Sequence, residues 1–423
     1  MPLLAVKNQN GGKPALLTGR SFIIGTMGAL LWSLSAFADE TILTSAKKNI
    51  HLDEWSATSP AGSAQTWSVK KVTLHGGKQE GVDLITVDNG KLSFSIVPTR
   101  GMSALRAQMG DIRLGWDSPV KEIVNPVYIN LLARDGVGWL DGFNEWMPRA
   151  GIAWAGHPGK DGANTLTLHG QIGNIPASEV SVSIEKGNPG RIVVKGLVNE
   201  ISMFGSNLTL NSEVSTEIGS NHIVFNDSIV NNGTKPQEYQ IIYHSDYGEP
   251  ILEGGAKFVA PIKELRPFDG VAAKAISTFD SYLDAKPGFT EEVFGIVPYG
   301  DANNRTSVLL HNAAGDKGVS LTYAIDGLPY FALWKNTGAK GEAYVTGLEP
   351  ATSFPANRSI ERKAGRVPTL EPGASQSFTV DFAILSGKDA VNAAVDKVKA
   401  IQAGRPTNVN TETIKPCCLS VVN

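Results

Sequence analysis

The chain has 423 residues, with 38 Lys and Arg against 41 Asp and Glu and a formal charge of −3. That balance leaves no electrostatic footprint for nucleic acid or an anionic membrane surface. The two cysteines are the adjacent Cys417-Cys418, so no disulfide framework is expected to hold the fold.

In chain order, the first segment reads as an export signal. Lys7, Lys13 and Arg20 precede the apolar run Ser21 to Ala38, which ends in Ala36-Phe37-Ala38 before Asp39-Glu40. A basic region, a short apolar stretch and an A-x-A site predict cleavage after Ala38 and a periplasmic or secreted protein. Removing 38 of 423 residues leaves 385. The three bases leave with the leader and no acid does, which takes the formal charge from −3 to −6. No later apolar run is long enough to span a bilayer, so no stable membrane insertion is expected after cleavage.

Period-two alternation dominates the rest. "DLITVDNGKLSFSIVPT", Asp83 to Thr99, sets two alternating runs around Asn89-Gly90, a hairpin signal in which both turn positions take positive φ. From Glu179 to Tyr243 the runs repeat between Gly, Asn and Pro turns and predict a long antiparallel meander. "SVLLHNAAGDKGVSLTYAI" adds a hairpin and "SQSFTVDFAILS" a strand. Lys388 to Gly404 has helical spacing, with Val391, Ala394, Val395 and Val398 on one stripe. Many strands without βαβ alternation predict an all-β fold. The reading is one large antiparallel β-sandwich domain over 39–404, with a short N-terminal lead-in, a C-terminal helix and a loose tail over 405–423.

The chemistry-bearing stretches are few. No phosphate-binding loop and no His or Cys pair at metal-ligand spacing is present, so neither metal nor cofactor is expected. "GVGWLDGFNEWMPRAGIAWAGHPG", Gly136 to Gly159, places Trp139, Trp146 and Trp154 beside Asn144, Glu145 and Arg149. Aromatic faces beside planar hydrogen-bonding groups suit a sugar; core packing is the alternative for each tryptophan. "NTLTLHGQIGNIPA" carries His169, "EYQIIYHSDYGEP" carries His244 and Asp246 after an alternating strand, and "YVTGLEPATSFPANR" carries Glu349 at a strand end. His51, His75, His222 and His311 have no comparable setting and read as structural or solvated.

"LHG", "YHSDYG" and "GLEPATSFPANR" follow the order and approximate spacing of the galactose mutarotase (aldose 1-epimerase) superfamily, and the chain resembles a less studied branch of it from about Gly81 to Leu385. "LPYFALWKN", with Trp334, belongs to the same resemblance. It implies a β-supersandwich with a sugar cleft on one concave sheet. It also implies Glu349 as general base, His244 as general acid, His169 as the histidine that orients the ring oxygen, and Arg149 as the substrate-holding arginine. Asp246, Asn144, Glu145, Trp146 and Trp334 complete the expected substrate contacts. The sequence departs from the family pattern at Tyr243–Gly248 and at Gly170-Gln171. The implied activity is interconversion of sugar anomers through acid/base ring opening. Two alternatives stay open: a carbohydrate-binding module without turnover, and a lyase or glycoside-cleaving enzyme in which Asp246 or Glu145 partners Glu349.

Overall fold

Where apolar and polar side chains alternate, one face of each strand is buried and its neighbours pair antiparallel. The computed structural model describes residues 40–414, so the leader, its cleavage point after Ala38 and the pair Cys417-Cys418 lie outside the described residues. Strands Glu179–Glu185, Arg191–Ile201, Asn207–Glu217 and His222–Asn231 are successive antiparallel neighbours. Their residues Val194, Leu208, Leu210, Val214, Ile223 and Phe225 face the core. Strand Ser375–Ser386 and the hairpin Arg305–His311 with Lys317–Ala324 extend one side, and Glu40–Ser45 extends the other, in a ten-stranded sheet.

A second sheet of eight strands includes Glu292–Pro298, Tyr330–Thr337, Tyr344–Ala351, Gln240–Tyr243, Ser245–Tyr247 and Arg149–Ile152. A third, six-stranded sheet runs through consecutive strands from Glu54 to Leu114. One continuous core joins all three: Phe225 and Phe382 from the first, Tyr243, Leu333 and Leu348 from the second, Ile85 and Phe94 from the third. The helix Lys388–Gln402 packs Val391, Ala394 and Val395 onto Leu309, Ala383 and Leu385. No helix among the described residues is long and apolar enough to cross a membrane.

Four expectations change. The N-terminal part after Glu40 is no lead-in but a strand of the large sheet followed by a sheet of its own. Gln240–Tyr243, buried at every position, leaves the meander for the eight-stranded sheet. The Asn89-Gly90 hairpin is wider than two residues, since Asp88 pairs with Ser93. Only Gly90 takes positive φ there; the buried Asn89 side chain accepts from Lys91 and Leu92 and donates to Thr216, Glu217 and Ser220, stapling the turn to a neighbouring one. The stretch after Gly404 is docked as far as Ile414: Asn408–Val409 lies parallel to Ile262–Pro267, and Ile414 is buried with Phe268 and Phe354.

Candidate active site

Pairing in the eight-stranded sheet decides which side chains share its outer face. Ala332 lies opposite Glu349, Trp334 opposite Gly347, and Asp246 opposite Gly347 on the other flank. Alternation along each strand therefore brings Glu349, Asp246 and Trp334 onto one surface, with His244 beside them. Glu349 is inside the strand Tyr344–Ala351 rather than at its end, and its side chain is only 3% exposed. Gly347 makes room for it: a Cβ there would stand 2.5 Å from Glu349 Oε1 and 3.3 Å from the Trp334 ring. Burial pushes the Glu349 carboxyl up to about 7, with Asp246 and Glu291 adding to the rise and His244 opposing it.

His244 joins strands Gln240–Tyr243 and Ser245–Tyr247, and its amide donates to Pro148 O. Its Nε2 is 3.4 Å from Glu349 Oε1, and on the far side Nδ1 bonds Asp246 Oδ2 at 3.0 Å. Asp246 is fully buried, and both of its carboxyl oxygens lie 3.0 Å from that nitrogen. Burial, reinforced by Glu145, pushes the Asp246 carboxyl well above the usual range. The imidazole thus has one nitrogen held by Asp246 and the other turned to Glu349.

His169 occupies a turn after Asn164–Leu166, not a strand end, and has the left-handed φ of +59°. Histidine reaches that region at a cost, which recurs at functional sites. Its backbone is tied on both sides, with Gly151 N donating to His169 O and His169 N donating to Gly156 O. Gly170 must follow, because a Cβ there would meet Trp154 O at 2.2 Å. The turn sets the imidazole edge-on to His244, with ring centres 5.0 Å apart, and edge-on to Trp139 at 4.8 Å. Burial, then the neighbouring His244 and His157, hold it well below its usual pKa, so it is neutral. Its Nδ1 is buried without a partner. His157, behind it, is lowered to about 4 by burial. Trp139, Phe143, Leu168, Trp116 and Trp334 form the apolar wall around these groups.

The other expected contacts are seated elsewhere. Arg149 is opposite Tyr243, one residue before His244, and so faces inward. There it binds Asp227, Ser212 and Met102 O, pinning the eight-stranded sheet to the ten-stranded one. Trp146 is core, edge-on to Phe382 and Phe225. Glu145 is fully buried and paired with Arg100. Asn144 donates to Val120 O and Glu122 O, holding a loop. Sequence reading did not select Phe143, Trp116 or Glu291 for the site. Glu291 accepts from Trp334 Nε1 at 2.8 Å and its carboxyl is raised by burial.

A family model described as a domain of unknown function (DUF4432) matches residues 79–384. The chain belongs to that family. It is 41% identical to a Klebsiella pneumoniae subsp. pneumoniae MGH 78578 protein described as a "putative aldose 1-epimerase", over 90% of this chain and 99% of that one, with a TM-score of 0.87. Galactose 1-epimerase from Lactobacillus acidophilus NCFM, at 12% identity, superposes over 75% of this chain and 99% of its own with a TM-score of 0.50. The DUF4432 chain thus has the galactose-mutarotase-like fold, as the motifs implied. No curated protein matches it.

Proposed function

We propose that this DUF4432 protein is an aldose 1-epimerase-type isomerase acting on a sugar with a free anomeric centre. The observation that carries the reading is the buried pair of Glu349 Oε1 and His244 Nε2, 3.4 Å apart, with Asp246 behind the imidazole. Glu349 removes the anomeric hydroxyl proton while His244 protonates the ring oxygen. The C1–O5 bond breaks, the aldehyde turns about C1–C2, and the same groups reclose the ring in reverse. A carboxyl at about 7 is ionised often enough to act as base and basic enough to be effective. Neutral His169 offers the substrate a hydrogen bond without competing for the acid's role. The aromatic wall supplies low dielectric and a stacking surface for sugar C–H faces.

Glycoside cleavage through Asp246 or Glu145 is disfavoured, since Asp246 stands behind His244 and Glu145 is tied to Arg100. Export belongs to the proposal on the strength of the leader's residues alone; N-terminal sequencing of the protein outside the cytoplasm checks it, and a start at Asp39 is expected. The decisive assay follows anomeric equilibration of freshly dissolved α-aldoses by NMR or polarimetry. Acceleration that Glu349→Gln and His244→Ala each reduce by about 10²-fold or more is expected. Full activity in either variant overturns the assignment.

A further inference from the structure

The acid/base chemistry leaves one histidine of this region unused. His157 follows Gly156, whose carbonyl accepts from His169 N at 2.8 Å, and its own amide donates to Pro355 O at 3.0 Å. Trp154 Nε1 donates to Thr167 O, and Asn357 Nδ2 donates to His157 O. The loop 154–157 is therefore braced between the His169 turn and the segment that leaves the Glu349 strand. Gly156 permits the close passage, since its φ is +81° and a Cβ there would stand 2.5 Å from Ala356 O. Only the backbone of His157 is engaged in this bracing. Among the described residues, the rings of His51, His75, His222, His244 and His311 each have a hydrogen-bond partner, whereas the His157 ring has none. That ring is partly exposed, and burial lowers it to about 4, so near neutral pH it is uncharged, with one N–H donor and one acceptor.

Four groups form a row. Glu349 Oε1 is 3.4 Å from His244 Nε2, the His244 and His169 ring centres are 5.0 Å apart, and His169 in turn feels the His157 ring. The charges that act on Glu349 are His244, Asp246 and Glu291, while burial alone acts on His157, so His157 stands at the end of the row away from the carboxylate. A pyranose with its anomeric hydroxyl at Glu349 and its ring oxygen at His244 continues in this direction through C5 to C6. We propose that His157 is a specificity-determining residue that recognises the exocyclic C6 hydroxyl, which makes neutral hexopyranoses the substrate class. This rests on the isomerase reading for the orientation of the sugar. A neutral imidazole can donate to a hydroxyl or accept from it, and an analogue lacking that hydroxyl leaves a half-buried ring nitrogen unpaired. A uronic acid would instead bring a second carboxylate into the pocket that buries Glu349, at a cost in desolvation.

The test uses D-glucose and D-galactose, their 6-deoxy analogues, 2-deoxy-D-glucose and D-glucuronate. Dissociation constants are measured by calorimetry on Glu349→Gln, which cannot turn over, with and without His157→Phe. Phe keeps a planar ring and removes both nitrogens. His157→Ala is run beside it, so that a Phe variant that fails to fold still leaves a measurement. The parent hexose is expected to bind about fivefold to tenfold tighter than its 6-deoxy analogue when His157 is present, and within about twofold of it in either variant. The 2-deoxy penalty is expected to be unchanged, and D-glucuronate to bind more weakly than D-glucose. A preference for the 6-hydroxyl that survives both substitutions overturns the proposal. So does an equal loss for every sugar, which would mark a displaced His169 turn, and so does D-glucuronate binding tighter than D-glucose. Mutarotation assays of the Glu349-intact proteins separate the two readings. Discrimination at C6 without mutarotation refutes the isomerase and leaves His157 its role; mutarotation without that discrimination does the reverse. Failure of every sugar to bind overturns both.

Discussion

Replacing Glu349 by Gln is expected to abolish activity and, above neutral pH, to stabilise the protein. The carboxyl's ordinary value is 4.5, and burial raises it to about 7 in the folded chain. Between these values the folded state binds more protons than the unfolded state, so stability falls as pH rises through the window and stays reduced above it. A difference of about 2.5 units corresponds to roughly 3 kcal/mol, at about 1.4 kcal/mol per unit. Gln is close in shape and never ionises. Urea unfolding of both proteins at half-unit intervals from pH 4 to pH 8.5 tests the argument. The two curves should coincide near pH 4 and diverge progressively from about pH 5, with the variant ahead by up to roughly 3 kcal/mol at pH 8. A variant less stable than the parent at pH 8, or a difference independent of pH, refutes the claim that Glu349 is held charged against its burial. It would also remove the physical basis for assigning it the role of base.

The neighbouring groups give further outcomes. Asp246→Asn replaces the carboxyl that holds Nδ1 of His244, and kcat for mutarotation should fall about 10²-fold with KM within twofold; a change confined to KM contradicts the positioning role. Gly347→Ala places a methyl 2.5 Å from Glu349 Oε1, so kcat should drop about tenfold or more while thermal unfolding shifts by only a few degrees. Arg149→Met strands Asp227 in the core and should cost about 3–5 kcal/mol in denaturant unfolding, much of it recovered by adding Asp227→Leu. Unchanged stability with a raised KM would restore Arg149 to the substrate.

Patterns local in sequence were legible in the residues, and those that depend on pairing were not. The meander from Glu179 to Asn231, the hairpin at Arg305–Ala324 and the helix at Lys388 follow from periodicity within each segment. The neighbourhoods of His169, His244 and Glu349 stood out through short motifs, each confined to a single turn or strand. Which side of a sheet a residue faces is different, because it is set by a partner strand distant in the chain. Arg149 has the residue type and flanking aromatics of a sugar contact, yet its pairing with Tyr243 turns it to the core, while His244, the next residue along that partner, faces the site. Glu291 is the converse: an unremarkable glutamate in "PGFTEEVFG" that reaches the active-site surface only because Val293 pairs with Trp334. A slip of one residue in either pairing would exchange these roles. Long-range register is thus the physical quantity that divides a structural arginine from a carboxylate at the active-site surface, and the Arg149 substitution tests that division.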